Sequence, residues 1–436
     1  MKKMISLVCA LALVLALASC ATKPSVPGAV TTESPSSDVP AETVSAGLSE
    51  DSEDGLPGLE VLSVESVEYD GYVACLAVIR NNTDSATGAE GSLSAYDSSG
   101  GELVTVYDRA ELGAGETTYM YFTFESRDPA DFSFDCEPVE PELESIQADV
   151  RVKVTDRGNR LIVCAGNDSE YSAEEPCVML ALYDDEGVLA ALEPCYVCDH
   201  DGQLKPGAER YEEVNPDVGY SYYKAFYRFP SAGNTPMNAP GAAGSPLDCS
   251  ETYEYRTEFG ETVYMVAVRN DGDRTLSVEG NAAALDADGA PIAAENASLA
   301  CLGAGDTSLL EFFFIDAADA QDFSFSVQYD ETENYTPVLD KIEKHYERMG
   351  DEVVVSCLNN ADDPELVAEY FTATVVFFDS GECVGKQTKY MSAKEDGLDL
   401  APDDPAAEQR FSASGDFDDF KVFFYAQHAN FDPEDY

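Results

Sequence analysis

The chain has 436 residues, with 84 Asp and Glu against 25 Lys and Arg, a formal net charge of −59. Apolar residues make up 44% of it, enough to build packed cores, so it is not a disordered acidic polymer; the length suits two to four domains of ~100–200 residues. The acidity excludes nucleic acid, whose binders need clustered Lys and Arg to displace counterions, and with 3 His and no Trp imidazole base chemistry and Trp platforms for sugars have little material.

The N-terminus carries an address. Lys2 and Lys3 form a basic patch, and Ile5 to Ala18 is an apolar run broken at Ser6. That run is shorter than the roughly 20 apolar residues of a membrane-spanning helix, and it suits the apolar region of a secretory signal peptide, assigned here to residues 1–19. It ends in Leu17-Ala18-Ser19-Cys20, which resembles a bacterial lipobox. The resemblance implies cleavage before Cys20 and attachment of a diacylglycerol to its sulfur. An ordinary signal peptide that happens to contain a Cys is the plainer alternative; the place of Cys20 at the small-residue cleavage site favours the lipobox. No later apolar stretch reaches spanning length, so the expected protein is exported and anchored by lipid to the outer face of the bacterial cell membrane, or to the outer membrane in a Gram-negative cell.

Residues 20–57 comprise the lipidated Cys20 and a tether rich in Ser, Thr, Pro, Ala and Glu, with no apolar periodicity. Such a segment cannot bury enough surface to offset its ordering entropy. At about 5–6 Å × √n its mean reach is on the order of 35 Å.

The rest of the chain repeats itself. Val78-Ile79-Arg80-Asn81 resembles Ala267-Val268-Arg269-Asn270, Leu112-Gly113-Ala114-Gly115-Glu116 resembles Leu302-Gly303-Ala304-Gly305-Asp306, and Asp131-Phe132-Ser133-Phe134 resembles Asp322-Phe323-Ser324-Phe325. A separation near 190 residues that drifts by one residue per match is the mark of one tandem duplication with small loop insertions. A weaker repeat lies within each half. Apolar runs end in Asn81, Asn167, Asn270 and Asn360, and second runs end in turns at Asp97, Asp184, Asp286 and Asp379, each with a nearby Gly. Four units follow, at 58–141, 142–230, 251–333 and 334–436, with a linker rich in Pro, Gly and Ala at 231–250 between the halves.

The units read as β. Runs such as Tyr72 to Ile79, Leu161 to Cys164, Val263 to Val268 and Val353 to Cys357 are short, β-branched and apolar, and Asn, Asp or Gly clusters bound them. Asp accepts turn amides and Gly supplies φ > 0, so the Asp turns suit hairpins. Continuous rather than alternating apolar runs indicate strands buried on both faces. Short strands in units near 90 residues fit Ig-like sandwiches. Asp340 to Met349 reads equally as helix or strand. Leu180-Ala181-Leu182-Tyr183-Asp184 before a Gly turn resembles the FxLYD-type domains of bacterial secreted lipoproteins, with Leu180 at the family's Phe position. The matching stretches in the other units are Leu93 to Asp97, Ala282 to Asp286 and Val375 to Asp379. The resemblance implies an Ig-like fold and brings no catalytic residues. The fold class expected is all-β: four tandem Ig-like, FxLYD-type β-sandwich units in two duplicated pairs.

Chemistry-bearing residues are sparse. Beyond Cys20 the exported part holds Cys75, Cys136, Cys164, Cys177, Cys195, Cys198, Cys249, Cys301, Cys357 and Cys383. Only Cys164 and Cys357 fall at matching places, each three residues before a repeated Asn. Two readings stand: small buried thiols, or one to three local disulfides, Cys75 with Cys136 being the most Ig-like pair. Cys195-Tyr196-Val197-Cys198-Asp199-His200 is the most metal-like spot, but a structural Zn²⁺ needs four ligands, and no second Cys-x-x-Cys completes the set. The most acidic turns, with Asp184, Asp185 and Glu186 or with Asp286 and Asp288, offer only two or three carboxylates, where Ca²⁺ wants six to eight oxygens. His200, His345 and His428 are scattered. The stripe from Tyr220 to Phe229 invites a ligand platform, yet it occupies the place of a unit's last strand, where packing is its use.

These observations assign no catalytic residue, no metal ligand and no cofactor; Cys20 is the one site, for lipid. The expected role is a non-catalytic binding, adhesion or spacer protein. It would be tied to the membrane through Cys20 and directed at an extracytoplasmic protein or cell-envelope ligand. The alternatives are a carboxylate-pair hydrolase or a Ca²⁺-dependent cell-envelope module. The acids line turns and strand faces throughout, so the charge reads as a solubility device for sandwiches with many edges.

Overall fold

The structure, a computed structural model, describes residues 58–125, 129–199, 201–231, 245–257, 259–315, 317–394 and 397–430. The signal peptide, Cys20 and the tether lie outside them. The expectation of an all-β sandwich-type fold is met: among the described residues there are 26 strands and no α-helix.

Four sandwiches follow one another, each built from two antiparallel three-stranded sheets. In the first, β1 (Leu59–Tyr69), β2 (Tyr72–Asn81) and β5 (Thr117–Glu125) form one sheet, in the order β1-β2-β5. β3 (Thr87–Tyr96), β4 (Glu102–Leu112) and β6 (Asp131–Val139) form the other, with β3 central. Cys75, Ile79, Leu93, Met120 and Phe122 fill the space between. The second sandwich has β7 (Val150–Asp156), β8 (Leu161–Asn167) and β13 (Glu209–Val214) against β10 (Cys177–Tyr183), β11 (Leu189–Tyr196) and β14 (Tyr222–Arg228). A short ladder of β9 (Ala173–Glu174) and β12 (Gln203–Leu204) is added. The third has β15 (Leu247–Arg256), β16 (Thr262–Asn270) and β19 (Thr307–Phe314) against β17 (Leu276–Leu285), β18 (Pro291–Leu302) and β20 (Asp322–Glu331). The fourth has β21 (Ile342–Met349), β22 (Glu352–Asn359) and β25 (Ala407–Ser412) against β23 (Glu369–Asp379), β24 (Glu382–Tyr390) and β26 (Asp419–Gln427). Thus β15 begins at Leu247, inside the stretch 231–250 assigned above to the linker. The ambiguous segment from Asp340 to Met349 resolves into a 3-10 turn, Leu339–Lys341, and then strand β21.

Each sandwich is pinned at one end by the same buried asparagine. Asn81, Asn167 and Asn270 are fully buried and Asn359 nearly so. The Nδ2 group of Asn270 donates to the carbonyls of Arg274 and Leu302, at 2.8 and 2.9 Å, while Oδ1 accepts the Gly272 amide at 2.9 Å. Asn167 donates to Tyr171 and Leu204 and accepts from Ser169, and Asn81 and Asn359 repeat the arrangement. One amide thereby ties the end of a central strand to two loops, satisfying backbone groups that would otherwise be buried unpaired. In the fourth unit the repeated residue is Asn359 and not Asn360, whose side chain lies in solvent beside Glu343. The one apparent cysteine match therefore dissolves. Cys357 stands two residues before its Asn and points into the core, whereas Cys164 stands three before and is half-buried.

The hairpin turns explain the repeated Asp. Asp97 Oδ1 accepts the Ser99 and Gly101 amides at 2.8 and 2.9 Å, Asp184 those of Glu186 and Val188, and Asp286 those of Asp288 and Ala290. Gly100, Gly187 and Gly289 supply φ of 81°, 81° and 75°, where a Cβ would be strained. The fourth turn is tighter, with Ser380 and Gly381 both at positive φ as a two-residue hairpin requires.

The sandwiches stack face to face, always in the same sense. The β1-β2-β5 sheet packs on the β11-β10-β14 sheet, burying Ala74, Leu76, Val78 and Tyr119 against Cys177, Met179, Ala181 and Tyr183. The β15-β16-β19 sheet packs in the same way on β24-β23-β26, burying Val263, Met265 and Leu309 against Val376, Phe378 and Phe423. The middle contact, between β13 of the second sandwich and β17 and β18 of the third, joins the corresponding sheets. Central strands such as β2 and β10 are therefore covered on one face by their own core and on the other by the neighbouring sandwich. That two-sided burial is why they read as continuous apolar runs.

Position in the stack sets the outward residues. Five residues before the turn aspartate stand Ser92, Met179, Asn281 and Thr374; three before stand Ser94, Ala181, Ala283 and Val376. The inner seam of each pair is apolar, the seam between pairs is polar, and the free face of the first sandwich carries Glu90, Asp131, Asp135 and Glu137, all exposed. The free face of the fourth carries Glu343, His345, Glu347, Glu408 and Arg410, also exposed. Polar terminal faces close a stacked array as capping repeats close a solenoid.

Candidate functional site

The residues singled out in the sequence do not converge. Cys20 and His200 lie outside the described residues. In the segment from Cys195 to Asp199 the described donors do not gather into a metal site. Cys195 is buried in the second core, Cys198 is half-buried, and Asp199 turns toward Arg210, whose Nη1 lies 3.1 Å from its Oδ1. Among the described residues no three His, Cys, Asp or Glu side chains gather with metal-ligating geometry. Asp97, Asp184 and Asp286 each commit one carboxylate oxygen to turn amides, and Asp286 gives its other to Arg157 at 2.8 Å. His345 is exposed on β21, and His428 lies by Glu369 at 3.7 Å.

The stripe from Tyr220 to Phe229 is strand β14 with its flanks. Tyr223, Ala225, Tyr227 and Phe229 enter the core of the second sandwich, and Tyr222, Lys224 and Phe226 face the first. Tyr183 of the Leu-Tyr-Asp motif is buried in the same seam, where its hydroxyl donates to Glu65 at 3.1 Å. The motif tyrosine thus belongs to docking between sandwiches.

None of the ten described cysteines is bridged; Cys75 and Cys136 share the first core from opposite sheets without a bond. Burial pushes the thiols up, to about 12 at Cys75, Cys301 and Cys357. They are neutral near pH 7, which leaves them poor nucleophiles and poor metal ligands. A thiol-reactive disulfide reagent at pH 7.5 is expected to modify these three about 1,000-fold more slowly in the folded protein than in the unfolded chain, following the loss of thiolate. Equal rates in the two states would contradict their burial.

Two surface grooves stand out. One, of about 670 Å³, runs along the edge of β7 and is lined by Arg151, Lys153, Cys164, Glu209 and Tyr211. The other, of about 350 Å³, lies at the seam of the third and fourth sandwiches. It has a physical origin in the duplication. Where the first pair places Tyr119 and Met179, the second pair places Leu309 and Thr374, so smaller side chains leave a gap. Its polar lining is internally satisfied: Thr374 and Thr388 hydroxyls share a hydrogen bond at 2.9 Å, and Glu311 is paired with Lys386. Each groove is lined by a single carboxylate, Glu209 in one and Glu311 in the other, whereas acid–base cleavage of a glycosidic bond uses two carboxyl groups about 5–9.5 Å apart.

The most strongly perturbed acids lie elsewhere, in the seam between the pairs. Burial, with the charges of Glu213 and Glu212 adding to it, raises Glu295 to about 7. Burial also raises Asp199 to about 7, against the pull of Arg210 and Lys205 and with Asp201 and Glu279 adding to the rise. The side chains of Asp199 and Arg210 are 1% and 6% exposed, yet both Asp199 oxygens and Arg210 Nε lack an aligned hydrogen bond. Sequence reasoning missed this cluster. The available signal was β13 itself, Glu-Arg-Tyr-Glu-Glu-Val, a strand whose charges fall on both faces. No protein-family model matches the chain, and no curated protein matches it in sequence.

Proposed function

We propose that this is an exported bacterial lipoprotein, held by a diacylglycerol on Cys20 at the outer face of the membrane. Its four β-sandwiches, of the FxLYD-type kind, act as a non-catalytic binding or spacer element toward an extracytoplasmic protein or cell-envelope ligand. The observation that supports this reading best is the uninterrupted face-to-face stack. Apolar surface is spent on joining sandwiches, the outward sheets carry acids, the buried thiols are neutral, and each groove is lined by one carboxylate. Such a build suits holding a binding face away from a membrane across the tether. The net charge favours the same role, because it keeps the stack off an anionic surface beyond a Debye length of about 8 Å.

Growth of cells on a palmitate analogue is expected to label the protein, and Cys20→Ala to abolish the label completely. Retained label on the variant would remove the anchor. Crosslinking on intact cells, followed by identification of what is captured, tests the binding half. Repeated recovery of one envelope component supports it, and a product of chemical turnover released by the purified protein would overturn it.

A further inference from the structure

The seam between the two pairs is built unlike the seams within them. Within a pair, aliphatic and aromatic side chains make most of the contact, joined by a few ion pairs, Arg228 with Asp108 in the first pair and Lys386 with Glu311 in the second. Between the pairs, the backbone of Tyr211 exchanges two hydrogen bonds with the Asn281 amide, at 2.8 and 2.7 Å. Ser326 donates to the Glu209 carbonyl at 2.9 Å, the Ala294 amide donates to Glu213 and Asn296 to Glu212, at 3.3 Å each. Two cations reach across: Arg157 to Asp286 at 2.8 Å and Lys205 to Asp330 at 3.1 Å. Gln328, on the outward face of β20 in register with Glu279, is 2% exposed, and neither of its amide atoms has a hydrogen-bond partner. A contact made of polar groups, some unsatisfied, gains little on closing because the same groups are well hydrated when apart.

We propose that this middle seam is a proton-operated hinge: the two pairs dock when the carboxylates covered there hold protons and part when those protons are lost. Three acids carry it. Glu295 on β18 stands between Ala294 and Asn296, which bond Glu213 and Glu212 of β13, so the charges of both act on it; Arg160 is bound to Glu213 at 3.2 Å. Glu212 is half-buried, and its desolvation there raises its pKa, with Arg210 and the Asn296 amide as counterweights. Asp199, buried, pairs with Arg210 at 3.1 Å and feels the charges of Lys205, Asp201 and Glu279. Lys205 is itself engaged by Asp201 and Asp330, both at 3.1 Å, so it is shared among several acids.

The sign follows from linkage. Once the pairs separate, water reaches these carboxyls and they return toward the ordinary carboxylate range, near 4. Docking then takes up protons between about pH 4 and 7. It is favoured below that window, weakens as pH rises through it by about tenfold per pH unit for each proton held, and levels off above. The seams within the pairs close on aliphatic and aromatic contacts and stay closed throughout.

Small-angle scattering of the purified full chain at pH 5.5 and 8.0, at constant ionic strength, tests the hinge. The expected result is a larger radius of gyration at pH 8.0, with loss of hydrogen-exchange protection in β13, β17 and β18 and unchanged protection in β10 and β23. The pair Glu212→Gln and Glu295→Gln, which keeps the shape of each side chain and removes its charge, is expected to shift the transition toward higher pH and to reduce its amplitude. An unchanged radius in the wild type, or an identical transition in the double variant, would overturn the hinge. General repulsion among the remaining acids predicts that identical transition, so the variant separates the two causes.

Discussion

Asn270→Ala is expected to destabilise the third sandwich by about 3 kcal/mol, from three hydrogen bonds at roughly 1 kcal/mol each. The side chain is fully buried, and its loss strands the carbonyls of Arg274 and Leu302 and the amide of Gly272 where water cannot reach them. Asn270→Asp is expected to cost at least as much, since a carboxylate cannot donate to either carbonyl. Hydrogen exchange in β16 and β17, with the denaturation midpoint followed by circular dichroism, measures both. Asn360→Ala is the control; the exposed neighbour of the fourth clamp contacts Glu343 and should change stability by less than about 0.5 kcal/mol. A loss below about 1 kcal/mol for Asn270→Ala would mean that the loops hold without their amide.

The clamp also shows where a sequence stops being legible. The repeated asparagine was visible, but the fourth unit offers two adjacent ones. Nothing local says which faces inward, because strand ends carry no alternation to count from. The strands themselves were legible because β-branched runs bounded by Gly and Asp leave few other options, and Asp97, Asp184 and Asp286 stand where hairpin geometry needs an amide acceptor. The partners of the doubly buried strands were not legible. Leu76 and Met265 read as core, and they are core, but of a seam formed by residues some 100 positions away. Tyr183 is the plainest case. As a motif residue it marks a fold, and its task in this chain, filling the first seam, depends on which sheet of the preceding sandwich arrives. The middle seam was hidden for a different reason. Glu212 and Glu295 look like solvated strand acids until a second sheet covers them, and burial alters a carboxyl without altering its letter.

That dependence on position yields the second large effect. Met179 and Ser92 occupy the same place, five residues before the turn aspartate of their sandwiches, and both side chains point outward from the sheet. Met179 is 1% exposed because the first sandwich covers it, while Ser92 lies on the free face of the stack. Met179→Asp would bury a carboxylate among Leu76, Ala181 and Phe226, at a cost of several kcal/mol unless it takes up a proton or the seam opens. The expected outcome is a loss of at least about 3 kcal/mol, read as lost protection on the facing strands β2 and β10, with dye-binding apolar surface newly exposed and the two cores intact. Ser92→Asp adds the same charge at the same register and should stay within about 0.5 kcal/mol, its like-charged neighbours, Asp135 across the ladder with Glu90 and Glu137 beside it, being exposed to solvent. Equal penalties at the two sites would deny that the sandwiches dock through these faces. The predicted contrast follows from position: Met179 is apolar where the first sandwich covers it and Ser92 polar where nothing does, while Asn281, covered across the middle seam, stays polar because its amide bonds the Tyr211 backbone.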